Sequence, residues 1–416
     1  MRTLRQISCI LIGLVFMFSG IVKAIDPLGS AYKFHDYFMA FNMGWLDFLS
    51  LPLAILLCLA EFIAGFAVIS GIRQKEGIWG VTLLMLFFTP LTLFLAITNP
   101  VSDCGCFGDA IHLTNWQTFW KNVVLLIPTI ILFKDRKQIT PISIKNEWKV
   151  IRTLIIFFVL FCIGNLRHLP LIDFLPYKTG VRIADQMIIP EGAEYDQYLT
   201  TFIYERNGEQ KEFTLENYPA DDPTWVFVDQ KTTLLKKGYE PPISNFAIIT
   251  FDGMDLTNQI LNRDGYTLLM IAKKLDEADS KKLLSGFETG KFVEDAGINF
   301  LILTSTSYDE AQKYMNGLQF CAVDETTLKT MLRANPGYML INNGKIEGKW
   351  SSSTLPQNEW FKSIALGEET SKGNNVRLLF SIFYIAIFLY LVLLILVINI
   401  QKYFRSKSLI SRLFRL

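Results

Sequence analysis

The chain has 416 residues, 51% of them hydrophobic and only 19% charged, with a mean hydropathy of +0.30. That is too apolar for an ordinary soluble protein and points to a chain that is largely membrane-embedded. The net charge of +1 averages very different segments, and no basic cluster interleaved with aromatics suggests a nucleic-acid partner.

Six stretches are apolar over the roughly 20 residues that a bilayer crossing needs: 7–25, 51–71, 77–97, 116–133, 150–166 and 378–400. The first ends in KAIDP, with no small-x-small cleavage signal, and is read as a retained span. Basic residues mark alternate connections: Arg2 and Arg5, then Arg73 and Lys75, then Lys134, Arg136, Lys137, Lys145 and Lys149, then Lys402, Arg405, Lys407, Arg412 and Arg415. The intervening connections are poor in positive charge, with only Lys33 in 26–50 and none in 98–115. Because positive connections stay cytoplasmic, the expected arrangement is a multi-pass protein of the bacterial inner (plasma) membrane. Both termini are cytoplasmic, and residues 167–375 are periplasmic or otherwise extracytoplasmic.

Within the second span stands Glu61. A carboxylate at that depth is costly, so it should face the bundle interior with a partner, Lys121 or Lys23. It reads as part of a proton path or a quinone-proximal acid, or else as a bundle-specifying ion pair or a protonated glutamic acid. Pro90 in the third span should make a kink that a bundle tolerates.

The next connection carries DCGCFGD at 103–109, on the outward, disulfide-permissive side. Structural zinc takes four ligands. Cys104, Cys106 and His112 supply three at most, and His35 and His168 lie on other loops. A metal is therefore disfavoured. Gly105 permits the tight backbone that a Cys104–Cys106 ring needs. Strained, exposed disulfides are the labile or catalytic ones, whereas a staple closing so short a loop removes little chain entropy. A thiol relay is preferred, with a structural disulfide, paired free thiols and a metal site as the remaining readings. Attack requires a thiolate. The fourth span opens with the capping-box pattern Thr114-Asn115-Trp116-Gln117, so a helix N-terminus follows the loop and favours negative charge there. Lys121 adds positive potential, while Asp103 and Asp109 oppose it. The other cysteines, Cys9, Cys58, Cys162 and Cys321, stand alone and read as packing residues.

Past the basic loop 136–149 and the fifth span, residues 167–239 read as a β-rich extracytoplasmic segment, with a hairpin over 199–214 turning at Asn207-Gly208. Residues 240–375 alternate strand and helix signals: ISNFAIITFDG, DGYTLLMIAKK, INFLILTS, FCAVD, TTLKTMLRA and a closing hairpin turning at Asn343-Gly344. The sixth span, 376–400, and a basic cytoplasmic tail, 401–416, complete the chain.

The first 135 residues resemble the DoxX superfamily of four-helix membrane proteins, and within it the MauE-like branch (methylamine utilisation protein MauE). FSGIVKAIDP at 18–27, AEFIAGFAVISG at 60–71 and DCGCFGD followed by LTNWQTFWKNVVLL carry the likeness. MauE-like members pair a CGCFG-type outer loop with a Lys/Arg-Asn pair one turn into the next span, here Lys121 and Asn122. The resemblance implies support for thiol–disulfide exchange or redox maturation of exported proteins, methylamine metabolism included. Cys104 and Cys106 would be the reacting pair, with Lys121, Asn122 and Glu61 in support. The partner would be an exported thiol-containing protein, and a quinone is the electron acceptor to consider, with no other cofactor and no metal.

From about Glu240 to Ser351 the chain resembles a thioredoxin fold of the TlpA or peroxiredoxin type, carried by EPPISNFAIITFDGMDLT and ANPGYMLINNGKIEGKW, with Pro336 at the cis-proline position. The pattern departs where a redox-active member would carry cysteine: KLDEADSKKL has none, and Cys321 is the domain's single thiol. The likeness therefore implies a degenerate, binding or docking domain. The expected fold class is a membrane α-helical DoxX/MauE-like bundle plus two further spans, bearing an outward α/β thioredoxin-like domain. Against the thiol–disulfide oxidoreductase reading stands a non-catalytic membrane assembly scaffold. A small-solute transporter ranks last, since no paired broken helices are visible.

Overall fold

The computed structural model describes residues 2–138, 147–219, 222–236, 238–315 and 317–368. The apolar stretch 378–400, expected as a sixth span, lies outside them.

The apolar N-terminal sequence folds into six α-helices: α1 (Arg2–Ile25), α2 (Pro27–Ala40), α3 (Ser50–Ser70), α4 (Gln74–Thr98), α5 (Asn115–Asp135) and α6 (Glu147–His168). All except α2 are long and apolar enough to cross a membrane. Exposed side chains such as Leu86, Ile97, Ile127 and Ile156 give the bundle an apolar outer face. Inside, Ile12, Phe16, Val68, Ile78, Val81 and Leu125 form one core cluster. Phe62 stacks on Phe158 at 4.7 Å and draws α6 against α3. Helices α1 and α3 approach closely because glycines face the partner backbone. A Cβ on Gly20 would lie 2.6 Å from the Cys58 carbonyl oxygen, and one on Gly65 would lie 2.7 Å from the Met17 nitrogen. Small residues allow such backbone contact between membrane helices.

Helix α2 was not expected from the hydropathy pattern. It starts where Asp26 accepts a hydrogen bond from the Gly29 N–H at 2.9 Å, with proline at the first helical position. Both are strong helix-start features. It lies at the end of the bundle that also carries the 103–109 loop. The opposite end holds Arg73, packed 4.4 Å over the Trp148 ring, and Arg136, packed 3.8 Å over Phe133.

The rest of the described chain is β-rich. Strands β1 (Gln197–Arg206), β2 (Glu209–Thr214) and β3 (Val226–Lys236) form an antiparallel sheet in the order β2-β1-β3. The β1–β2 turn is Asn207-Gly208, both at positive φ (55° and 84°), as a two-residue hairpin requires. There follow β4 (Ile249–Thr250), α7 (Thr257–Leu261), β5 (Tyr266–Ile271), α8 (Ser280–Asp295), β6 (Asn299–Thr304), α9 (Tyr308–Ala311), β7 (Phe320–Ala322), α10 (Glu325–Met331), β8 (Gly337–Asn342), β9 (Lys345–Ser351) and α11 (Asn358–Ala365). The second sheet runs β4-β7-β6-β5-β8-β9. Strands β5, β6 and β7 are parallel, and β4, β8 and β9 run antiparallel to their neighbours.

Both faces of this sheet are covered, which is why β5 and β6 read as continuous apolar runs. Leu268, Met270, Phe300 and Ile302 pack on one side with Phe287 of α8. Leu269, Ile271, Leu301 and Leu303 pack on the other. The second core also takes Leu169, Tyr177 and Ile183, so the segment that leaves α6 is built into the α/β layer. Lys349 of β9 bonds Asp173 at 2.7 Å, and the Ser351 hydroxyl donates to the Arg167 carbonyl at 2.8 Å. These bonds tie the sheet to the end of α6.

Candidate functional site

Loop 103–109 sits between α4 and α5, and both ends are held. Asn115 donates to the Asn99 side chain and to the Val101 carbonyl, each at 2.8 Å. The Thr114–Gln117 capping box is formed in both directions and fixes the start of α5 just after the loop. Between these anchors, Gly105 adopts φ +66°, and a Cβ there would meet Lys33 at 2.8 Å. That turn directs the two sulfurs to the same side. Cys104 Sγ and Cys106 Sγ lie 3.3 Å apart, both as thiols rather than a disulfide.

The loop backbone is hydrogen-bonded to the helices below it. The Tyr37 hydroxyl of α2 donates to the Cys104 carbonyl at 2.9 Å, and the Ser19 hydroxyl of α1 lies 2.7 Å from the Cys106 carbonyl. Ser19 also lies 2.9 Å from Glu61 Oε2, and Lys23 bonds both Glu61 oxygens at 2.7 and 2.8 Å. Of the two partners expected for Glu61, then, the structure selects Lys23. The pair is buried, with side-chain exposures of 6% and 7%. Lys121 instead caps the Phe107 ring at 4.5 Å, and it has no carboxylate partner among the described residues. Asn122 is buried and donates to Thr92 Oγ1 at 3.2 Å.

These surroundings make the two thiols unequal. The hydrogen bond between the two sulfurs, together with burial, raises the Cys104 thiol well above its ordinary value. The same hydrogen bond, helped by the Lys121 and Lys23 charges and opposed by burial, lowers Cys106 to about 6. Cys106 is therefore the more acidic of the two thiols, and the thiolate is the form that attacks. Neither aspartate of the motif opposes this strongly, because both are engaged elsewhere. Asp103 pairs with Lys33 at 3.0 Å and lies 3.5 Å from His112; despite burial, those partners lower it to about 2. Asp109 is held by Arg333.

A cavity of about 550 Å³ extends from the loop down between the helices. This is within the range of small-molecule sites. Phe38, Phe41, Leu57, Phe87 and Phe88 give it apolar walls, while Cys104, Cys106, Ser19, Lys23, Glu61, Lys121 and Asn122 line it with polar groups. Every membrane-side site residue expected from the sequence therefore borders one space.

Pro336 lies apart from this cavity, in the α/β layer, and its bond to Asn335 is cis. The segment just before it reaches the loop. Arg333 Nε donates to Asp26 Oδ2 at 2.7 Å, and its Nη2 bonds Asp109. Arg333 and Asp26 are buried and Asp109 nearly so, with side-chain exposures of 5%, 7% and 12%. Burial lowers the Arg333 guanidinium, but Asp26 and Asp109 more than reverse that and raise it. Burial raises the Asp26 carboxyl, while Arg333 pulls it back down. Both carboxylates crowd Gly29, where a Cβ would meet each Oδ2 at 2.6 Å. Beside them Lys273 donates to the Tyr32 hydroxyl at 2.8 Å, and burial lowers Lys273 to about 7. Lys273, Lys329 and Arg333 all lie within 5.5 Å of the Tyr32 ring centroid. No spacing or periodicity in the sequence signals this contact; Asp26-Pro27 marks only a helix start.

Residues 1–134 match the family model of methylamine utilisation protein MauE, and residues 198–237, which cover the three-stranded sheet, match a domain of unknown function (DUF8463). No curated protein and no solved structure matches the chain. The N-terminal third is thus similar to the MauE family of membrane proteins, and it is joined here to a further α/β part.

Proposed function

We propose that this MauE-like protein is a membrane thiol–disulfide module, in which Cys104 and Cys106 exchange electrons with an exported thiol-containing protein. The observation that carries the reading is the unequal pair of sulfurs 3.3 Å apart. A movement of roughly 1.2 Å brings them to the bonding distance of about 2.05 Å. In this reading Cys106 attacks a client disulfide, or receives attack when the pair is oxidised, and Cys104 resolves the mixed disulfide. The loop, α2 and the α/β layer would face the periplasm of a bacterial inner membrane, where disulfides persist.

The strand order β4-β7-β6-β5-β8-β9, with β5, β6 and β7 parallel and β8 antiparallel to β5, supports reading the second sheet as thioredoxin-like. The turn after β5, where such a fold would carry its dithiol, holds Lys273 and Lys274. Cys321 is fully buried in β7, away from any such position. We take the domain as a redox-silent docking unit that steadies the loop through Arg333, leaving the Lys33–Asp103–His112 side for a client.

Trapping the thiols with an alkylating mass tag in intact membranes tests this. Cys104 and Cys106 should shift together on oxidant and reductant challenge. A pair that never changes state would end the proposal. The buried Arg333 contact also supports a scaffold reading, in which a Cys104→Ser/Cys106→Ser variant keeps its partners and its phenotype. Loss of phenotype at normal abundance would reject that second reading.

A further inference from the structure

We propose that Cys58 of α3 and Cys162 of α6 become joined by a disulfide that braces α6, and the α/β layer leaving it, against the bundle. This bond is separate from the loop pair and holds whether or not Cys104 and Cys106 exchange electrons.

The two helices set these sulfurs face to face. Phe62 stacks on Phe158 at 4.7 Å, and Phe66 shares a core cluster with Leu154. Each step of four residues forward along α3 is thus matched by a step of four backward along α6. That is the register of antiparallel helices meeting along one seam, since residues four apart share a helix face. Cys58 and Cys162 are the next pair on the seam. They pack in one cluster with Ala24, Phe62 and Phe158, and their thiols interact directly. Two cysteines that read in the sequence as isolated packing residues therefore form a second sulfur pair.

Their position gives a bond there a mechanical use. It would close a loop of roughly 100 residues and remove far more chain entropy than the short ring of the loop pair. One turn beyond Cys162, Asn165 donates to the Ala24 carbonyl at 3.2 Å and accepts from the Leu171 N–H at 2.8 Å. Arg167 and Asp173, which hold β9, follow directly. A disulfide also needs no hydrogen-bond partner, which suits apolar surroundings.

The oxidant is another disulfide, carried by an exported oxidoreductase or a small thiol compound. The Cys162 thiolate attacks it, so a mixed S–S bond forms as the oxidant's own bond breaks and one sulfur leaves. Cys58 then attacks the Cys162 sulfur, closing the cross-helix bond and releasing the second oxidant sulfur. Two electrons pass to the oxidant, and the two thiol protons end on its two sulfurs. In the packed bundle Cys58 and Cys162 are 1% and 0% exposed, so the exchange precedes the seating of α6 on α3.

The test uses the full chain as Cys104→Ser/Cys106→Ser, which removes the loop pair. It is taken from bacterial membranes, blocked with N-ethylmaleimide in SDS and digested without reductant. Peptides carrying Cys58 and Cys162 should appear by mass spectrometry as one joined species that splits on reduction. In the same background, Cys58→Ala, Cys162→Ala and the double variant should all melt at nearly the same temperature, lower than the parent by at least about 5 °C. Any one of them breaks the bond, so their shifts should not add. Cys58 and Cys162 recovered as separate maleimide adducts would overturn the proposal and leave the thiol-exchange reading untouched. That peptide result decides the matter even if the alanine variants fail to fold. Joined peptides with additive or absent melting shifts would overturn the bracing role.

Discussion

Replacing Arg333 by methionine should detach the α/β layer from the cysteine loop. Arg333 is 5% exposed in its side chain and is the cation shared by Asp26 and Asp109, at 7% and 12%. Removing one partner from a buried charge cluster costs about 3–5 kcal/mol, because the remaining charge stays desolvated. Here two carboxylates are left side by side, and Asp26 retains only the Gly29 N–H. The remaining contacts to Tyr32, from Lys273 and Lys329, are too few to compensate. A loss of about 3 kcal/mol lowers the docked-to-undocked ratio by roughly two powers of ten. Hydrogen exchange on the full chain in detergent reads this directly: segments 26–33, 103–110 and 329–336 should lose protection in concert while β5 and β6 keep theirs. Without its cation Asp26 should take up a proton, so protection should partly return as the pH is lowered. The triple variant Arg333→Met/Asp26→Asn/Asp109→Asn should recover much of the loss, since it removes the stranded charge and Asn still caps α2. Wild-type protection in Arg333→Met, or no recovery in the triple variant, would refute the electrostatic account.

Two further outcomes follow from the loop. Alkylation of Cys106 by iodoacetamide should rise with pH through about 6, where its thiolate becomes populated, while Cys104 should react only in more alkaline solution. Identical pH profiles for the two would contradict the proposed asymmetry, and Lys121→Met should move the Cys106 midpoint upward. Gly105→Ala places a methyl at φ +66° against Lys33, so the turn that aligns the sulfurs should open. The left-handed conformation alone costs about 1–2 kcal/mol there, and disulfide formation by diamide should slow well before the bundle itself is destabilised, as a thermal melt would show.

What the sequence made legible was local. Asn207-Gly208 and Asn343-Gly344 mark their own turns because two-residue hairpins need positive φ at both positions. Thr114 and Gln117 predict a helix start because capping partners are three residues apart. Composition alone places the five described membrane-length helices. The Lys23–Glu61 pair was half legible: a mid-span carboxylate demands a cation, but two lysines lay within plausible reach. What was not legible is what joins distant parts. Arg333 meets Asp26 and Asp109 across separations of 307 and 224 residues, and nothing in periodicity or spacing encodes such a contact. For the same reason Asp109 looked like a threat to thiolate formation, when its charge is already matched. Helix α2 was overlooked because its composition is mixed and only its first two residues announce it.

The close approach of α1 to α3 has a consequence for how the cysteine chemistry can be lost. Ser19 and Lys23 stand on one helix and Glu61 on the other, and their bonds require the two axes to keep a single vertical setting. Gly20 and Gly65 hold that setting by bringing backbone onto backbone, Gly20 between Ser19 and Lys23 and Gly65 one turn past Glu61. A single added methyl at either glycine would push the helices apart and slide their polar groups out of step, while leaving every reacting atom in place. Damage of that kind would look like a catalytic defect in any assay of the thiols, although its origin is mechanical and lies within the hydrocarbon.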